Sequence, residues 1–179
     1  EGLDAYVADW ASSGPIAVRT LGGPSQEFST QLISLQAVAS SGTPLDADAP
    51  SANPGQTIRL LGQNFDTTTD VVFQLRNSNG ELEERVVRPV AVAEDGSHID
   101  IVVPNEATTG IVQVVGDQLG SQLPLQVVPL LLGVDVRSLA ERGGEWYGWV
   151  ELRGAGFSEG DGVYRFGTTE VVAPDFRGS

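Results

Sequence analysis

Residues 99–114 read Ile-Asp-Ile-Val-Val-Pro-Asn-Glu-Ala-Thr-Thr-Gly-Ile-Val-Gln-Val, a strand pattern, a corner marked by Pro104, a turn at Gly110 and a second strand pattern. A weaker copy occupies residues 3–18 and reads Leu-Asp-Ala-Tyr-Val-Ala-Asp-Trp-Ala-Ser-Ser-Gly-Pro-Ile-Ala-Val. The two stretches keep a constant offset of 96 residues. Self-similarity at a fixed period indicates repeated structural units.

A second repeat lies in the other part of the unit. Residues 57–65 read Thr-Ile-Arg-Leu-Leu-Gly-Gln-Asn-Phe, and residues 149–157 read Trp-Val-Glu-Leu-Arg-Gly-Ala-Gly-Phe, at an offset of 92 residues. The sequence therefore divides into three parts. Residues 33–128 form a complete unit, 1–32 form the back half of a unit, and 129–179 form the front half of another.

The two incomplete halves are complementary. If Ser179 is joined to Glu1, residues 170–179 followed by 1–4 show the same order of features as residues 85–100. Both stretches contain Val-Val-x-Pro, then a small polar turn, and then an apolar residue followed by Asp. The sequence is thus a two-unit repeat whose ends fall within one loop.

Composition indicates an all-β protein. Apolar residues make up 40% of the chain and occur mainly as short runs of Val, Leu and Ile separated by 22 Gly and 10 Pro, a pattern typical of strands and turns. Seven strands with frequent turns predict an Ig-like sandwich for the complete unit. Its predicted strands are residues 33–38, 56–61, 71–75, 82–92, 99–103, 110–115 and 123–128. The split unit is predicted to have strands at 131–136, 147–152, 163–166, 171–173, 3–7, 15–21 and 28–32.

Charge and hydropathy limit the possible partners. The net charge of −14 and the scattered basic residues argue against nucleic-acid binding, which needs clustered Lys and Arg. The longest apolar run, residues 127–134, is interrupted by Pro129 and Gly133 and is too short to span a bilayer, so no membrane insertion is expected.

Several motifs together resemble the IPT/TIG family of Ig-like domains. They are Gly-x-Asn-Phe at 62–65, Gly-x-Gly-Phe at 154–157, Val-x-Phe at 71–73, Phe166-Gly167, and Val103-Pro104 followed by Ala107-x-x-Gly110. The resemblance implies two tandem β-sandwiches. It also implies a place in bacterial surface proteins and adhesins, in animal receptors, or beside DNA-binding modules. Because the acidic charge argues against the last, we expect an extracellular or cell-surface location.

The missing strands of each half can come from three sources. The chain can be one period of a covalent tandem array, its front half can pair with the back half of a separate copy, or both halves can close within one chain. Residues 28–32 run into 33–38 without Gly or Pro, which favours units stacked end to end. Head-to-tail contacts that do not close produce a filament. The residues expected to form this assembly contact are Leu3, Ala5, Val7, Ile16, Val18, Phe28, Val150, Leu152, Phe157, Phe166 and Val171.

Catalytic and cofactor signals are weak. The single histidine, His98, has no signalled triad partners, so no enzyme activity is expected. Calcium is a possible ligand because carboxylates cluster in two loops, although neither spacing matches a recognised calcium loop. These weak metal candidates are Asp46, Asp48, Glu159 and Asp161.

Two further features concern glycans and protein ligands. Three aromatic residues cluster at the start of one predicted strand, namely Trp146, Tyr147 and Trp149. A row of exposed aromatic side chains would suit stacking against sugars, whereas side chains that point inward would suit packing in a core. Hydroxyl-rich loops at 40–43 and 67–69 are possible sites of O-linked sugar. The sequence therefore predicts a structural subunit or repeat of an extracellular bacterial filament, with a glycan- or protein-binding module of an adhesin as the alternative.

Overall fold

The computed structural model describes residues 15–77, 81–143, 145–157 and 163–172, and every regular element in these ranges is a β-strand. The predicted all-β class is confirmed. Since no helix occurs in the described ranges, they contain no helix able to cross a membrane.

Residues 31–127 form a sandwich of two sheets. One sheet has four antiparallel strands in the order β3 (Gln31–Gln36), β5 (Thr57–Gln63), β9 (His98–Val102) and β8 (Ala91–Val92). The other has five, in the order β4 (Ser51–Ala52), β11 (Leu123–Val127), β10 (Ala107–Val114), β6 (Val71–Arg76) and β7 (Leu82–Val87). Only the β4–β11 pair is parallel.

Three two-stranded sheets flank this sandwich in sequence. They are β1 (Arg19–Thr20) with β2 (Gly23–Pro24), β12 (Leu130–Arg142) with β13 (Glu145–Ala155), and β14 (Val163–Phe166) with β15 (Thr169–Val172).

Alternating side chains build the core between the two sheets. In β6, the buried residues Val71, Phe73 and Leu75 alternate with partly exposed ones, and β9 buries Ile99 and Ile101 in the same way, as the two-residue period of a strand requires. The described buried cluster begins at Leu32 and ends at Val127. Leu32, the last residue of the predicted back half, belongs to β3, and no other described residue of the two flanking halves is in the cluster.

The corner after β5 brings two backbones into close contact. A Cβ atom at Gly62 would overlap the carbonyl oxygen of Gln31 and the ring of Phe65. Phe65 is buried over this position, and its N–H donates to the Gly96 carbonyl at 3.1 Å. The intervening Asn64 adopts a φ of 58°, which few residues tolerate as well as Asn. The Gly-x-Asn-Phe motif thus ends β5 and holds the neighbouring strand β3 close to it.

The strand predictions differ from the structure in several places. Predicted strand 15–21 is reduced to the two-residue β1, and predicted strands 28–32 and 33–38 are replaced by the single strand β3. Predicted strand 82–92 is divided into β7 and β8, with Pro89 between them, because proline lacks the N–H that a sheet interior needs. Predicted strands 131–136 and 147–152 extend to Arg142 and Glu145, so β12 and β13 form one long hairpin. Asn79-Gly80, a dipeptide that favours a hairpin turn, lies outside the described residues.

The Gly62 contact is tested by Gly62→Ala. Because the added methyl group collides with backbone as well as with Phe65, we expect the free energy of unfolding to fall by roughly 3 kcal/mol, the upper part of the range for overpacking. Urea denaturation followed by fluorescence measures this change. Gly22→Ala is the matched control, since its Cβ would lie 3.5 Å from the nearest atom, Thr20 Oγ1. Equal free energies of unfolding for the two variants would contradict the close contact described at Gly62.

Candidate functional site

The β12–β13 hairpin repeats the backbone pairing of β3 and β5. A bulge interrupts β3–β5 between Leu32 and Ser34, and an equivalent bulge interrupts β12–β13 between Leu131 and Gly133. On both sides of the bulge the registers correspond. The matching pairs are Leu32–Gly62 with Leu131–Gly154, Leu35–Leu60 with Val134–Leu152, and Gln36–Arg59 with Asp135–Glu151. The 92-residue repeat of sequence is therefore also a repeat of structure.

The corner after β13 repeats the corner after β5. A Cβ atom at Gly154 would overlap the Leu130 carbonyl oxygen and approach the Phe157 ring to 2.6 Å. Gly156 has a φ of 75°, close to the 58° of Asn64 at the equivalent position. The front half therefore has the same strand ending as the complete sandwich, and Phe157 has the same place as Phe65.

The apolar face of β12–β13 is much more exposed than its counterpart. Val150 is 39% exposed, whereas Ile58, which matches it in the complete sandwich, is 2% exposed. Leu152 is partly exposed and Phe157 is partly exposed, while the matching Leu60 and Phe65 are buried. In the complete sandwich, the opposite sheet of β4, β11, β10, β6 and β7 covers this face, and β9 pairs with the free edge of β5.

The apolar residues of the back half are exposed in the same manner. The N–H groups of Ile16 and Phe28 each donate to the other's carbonyl, at 2.7 and 2.8 Å, and form the start of a hairpin. Ile16 and Val18 are both 54% exposed, whereas their matches at the 96-residue offset, Val112 and Val114, are buried. Phe28 is also exposed.

The structure places the remaining predicted assembly residues as follows. Phe166 lies at the end of β14 and is half exposed, and Val171 lies in β15 opposite Tyr164. Leu3, Ala5 and Val7 lie outside the described residues. Among the strands that are described, none from residues 15–28 pairs with one from residues 130–172.

A buried carboxylate fixes the junction between the back half and the complete sandwich. Asp117 lies in the loop after β10 and accepts hydrogen bonds from the N–H groups of Leu32, at 3.0 Å, and Ser121. Thr30 is buried beside it, and its carbonyl accepts the Gln118 N–H at 2.9 Å. The loop thus holds both the last junction residue and the start of β3.

The hydrogen bonds to Asp117 change its acidity. Burial by itself would raise the pKa of this carboxyl, but the backbone hydrogen bonds from Ser121 and Leu32 outweigh it and hold the pKa below the usual value. Asp117 is therefore a carboxylate at neutral pH, and its charge favours the folded junction.

A buried amide fixes the junction at the other end of the sandwich. The Asn53 Nδ2 group donates to the carbonyls of Val128, at 2.9 Å, and Ser41, at 3.0 Å, while its Oδ1 accepts the Ser41 N–H at 2.9 Å. Only Val128 and Pro129 separate β11 from β12, just as Ser29 and Thr30 separate Phe28 from β3. The two junctions therefore have the same length.

A cavity of about 540 Å³ lies between the end of the sandwich and the β12–β13 hairpin. Pro54, Asn105 and Thr108 line it on one side, and Leu132 and Phe157 line it on the other. Its lining mixes polar and apolar groups. A Cβ atom at Gly156 would approach Pro54 Cγ to 2.9 Å, so the two parts touch beside the cavity.

The predicted metal candidates do not form a ligand cluster in the described residues. Asp46 Oδ1 accepts the Asp48 N–H at 2.9 Å, and the main chain of Asp46 is held by Gln126. No group of three or more His, Asp or Glu side chains able to hold a metal occurs in the described ranges. Glu159 and Asp161 lie outside them.

Other sequence candidates have structural positions. His98 begins β9, and its Nδ1 lies 3.3 Å from Ser97 Oγ in an exposed hydrogen bond. Trp146, Tyr147 and Trp149 lie on β13. The sequence did not predict the importance of Asn53 and Asp117, because each binds a backbone group that is distant in the chain, Val128 for Asn53 and Leu32 for Asp117.

Comparison with known proteins gives no identification. The chain matches none of the protein-family models, and no similar curated protein is found. The IPT/TIG resemblance therefore remains a prediction from the motifs, and function has to be argued from the geometry.

The Asp117 contact is tested by Asp117→Ala and Asp117→Asn. Because Asp117→Ala leaves two buried N–H groups without their acceptor, we expect it to lower the free energy of unfolding by roughly 2 kcal/mol. Since the folded pKa is lowered, the contribution of the carboxylate is complete above the unfolded pKa of about 3.9 and is lost as the pH falls through the folded pKa.

Urea denaturation between pH 7 and pH 3 measures both effects. The stability difference between wild type and Asp117→Asn should stay constant down to about pH 5 and shrink below about pH 4. Asp48→Asn, at an exposed loop position, is the control and should show neither effect. A stability difference between wild type and Asp117→Asn that grows towards low pH would contradict the stabilising role of the Asp117 carboxylate.

Proposed function

We propose that this chain is a structural subunit or repeat of an extracellular bacterial filament. In this proposal, copies assemble head to tail, and the front half of one copy completes the back half of the next to form an Ig-like sandwich of the IPT/TIG type. The observation that carries the proposal is the β12–β13 hairpin, which has the register of β3–β5 but an uncovered apolar face.

The complementarity of the two halves supports this partner. In the complete sandwich, β9 pairs with β5 and β10 belongs to the sheet that covers β3–β5, and residues 3–18 of the same chain repeat the segment 99–114 that contains β9 and most of β10. Full burial of a large apolar side chain contributes about 1.5–3 kcal/mol. Covering Val150, Leu152, Ile16, Val18 and Phe28 would thus supply a substantial part of an interface.

The two junctions support an extended, non-closing assembly. Two residues separate the bridged Phe28 from β3, and two separate β11 from β12, so neither junction contains a long loop. Asp117 and Asn53 fix both junctions by buried hydrogen bonds. Contacts of this head-to-tail kind generate a filament when the rotation between copies does not close a ring.

Charge and family resemblance support the location. The net charge of −14 leaves an acidic surface suited to a soluble exterior, and proteins of the resembled family include bacterial surface proteins and adhesins. In this proposal, the filament lies outside the cell or at its surface.

Assembly is tested with Val150→Asp. A carboxylate at the centre of the uncovered face would be buried on completion of the sandwich, so we expect filaments seen by electron microscopy and sedimentation to be lost. Val90→Asp is the matched control because Val90 is an exposed valine of the complete sandwich, and it should assemble as wild type does. A wild-type chain that remains monomeric at all concentrations would contradict the proposal.

The mass of native filament material after full denaturation distinguishes the two modes of assembly. A species near 18.8 kDa means that separate chains complete one another without covalent bonds. A much larger species means a covalent tandem array, in which the contact between halves lies inside one polypeptide.

A further inference from the structure

Two walls of different chemistry face each other across the cavity of about 540 Å³ beside the β12–β13 hairpin. The first, which we call the polar wall, belongs to the end of the complete sandwich. Strand pairing builds it, because Ala107 at the start of β10 lies opposite Leu75, the residue before the end of β6. The polar wall carries four hydrogen-bonding side chains, those of Arg76, Asn105, Glu106 and Thr108.

The second wall belongs to the front half, and every described side chain in it is apolar. This apolar wall includes Leu132 and the ring of Phe157. Leu132 is the extra residue of the bulge between Leu131 and Gly133, and its side chain is 73% exposed. Bulges change the direction of a side chain and occur often beside functional sites. The cavity therefore has one hydrogen-bonding side and one apolar side.

Buried contacts hold the two walls at a fixed separation. Pro54 touches Gly156 beside the cavity, where an added Cβ atom would lie 2.9 Å from Pro54 Cγ. The neighbouring Asn53 is buried, and its Nδ2 group donates to the Val128 carbonyl at 2.9 Å, just before β12 begins. A ligand entering this cavity thus meets walls that are already in place, which lowers the cost of binding.

The polar wall is suited to a neutral ligand that both donates and accepts hydrogen bonds. A guanidinium only donates, a carboxylate only accepts, and an amide and a hydroxyl do both. The charges of Arg76 and Glu106 are opposite, and Glu106 Oε2 also accepts a hydrogen bond from Arg85 Nη1 at 2.8 Å. An anionic ligand would approach a chain with a net charge of −14. Hydroxyl groups meet these requirements, since each is a donor and an acceptor without charge.

We propose that this cavity binds a hexose unit of a neutral glycan. The hydroxyl groups at the edge of the sugar ring bind the polar wall, and the C–H groups on the face of the ring pack against Leu132 and Phe157. The cavity volume lies within the range of about 300–1,000 Å³ found for small-molecule sites. This inference is independent of the proposed assembly, because all the lining residues belong to one chain.

Sugar binding is tested by saturation-transfer NMR with methyl α-mannoside, methyl α-glucoside and methyl α-galactoside at millimolar concentrations. We expect at least one of the three to bind wild type. Thr108→Val keeps the shape of the side chain and removes one hydrogen-bonding group, so it should raise the dissociation constant about five-fold. Thr20→Val makes the same change at an exposed position of β1 that does not line the cavity, and it should bind as wild type does.

The apolar wall is tested in the same titration by two neighbouring leucines of β12. Leu132→Ala removes part of the surface on which the sugar ring packs, so we expect it to raise the dissociation constant about three-fold or more. Leu131→Ala is the matched control, because Leu131 is also exposed, at 53%, but does not line the cavity. Both leucines lie at the surface, so neither change should prevent folding.

Two outcomes would overturn the inference. One is the absence of saturation transfer from wild type to any of the three sugars. The other is binding that Thr108→Val and Leu132→Ala leave as strong as Thr20→Val and Leu131→Ala do, which would place the sugar elsewhere on the chain. Either outcome leaves the proposed filament standing, since filament formation is measured separately with Val150→Asp.

Discussion

The close approach of Gly62 to the backbone of β3 is the constraint on which the sandwich depends. Without a side chain at this position, the Gln31 carbonyl and the Phe65 ring lie where a Cβ atom would be. This contact brings β3 beside the end of β5 and covers the corner with an aromatic ring. The same contact recurs at Gly154, where Leu130 and Phe157 take the corresponding places. The corner after β13 therefore has the same construction as the corner after β5.

Strand alternation and turn residues predicted most of the fold. The positions of β5, β6 and β9 followed from short apolar runs between turn residues, whereas the single strand predicted over 82–92 is divided at Pro89 into β7 and β8. The long β12–β13 hairpin was not predicted to its full length. Residues 139–142, which lie beyond the predicted strand 131–136, belong to β12. Local composition was uninformative there because cross-strand pairing, and not propensity, determines the conformation.

The sequence predicted the residues of the candidate site that belong to the repeats, and it did not predict those that lie outside the repeats. The offsets of 92 and 96 residues identified Val150, Leu152, Ile16 and Val18, whose matches are buried in the complete sandwich. The importance of Asp117 was not visible, because its value lies in accepting backbone N–H groups that only the fold brings together. A carboxylate in a Gly-rich loop is otherwise an ordinary sequence feature.

In the proposed assembly, the two junctions and the exposed apolar faces would act together. A chain divided between sandwiches would present only folded ends to its neighbours, with small contacts between them. Here the proposed division runs through a sandwich core, so each contact between copies would resemble a domain core cut in half, the type of interface found in obligate assemblies. The fixed junctions at Asp117 and Asn53 hold each half in a set direction from the complete sandwich. Because less orientational freedom is then lost on association, more of the burial energy remains available to hold the copies together.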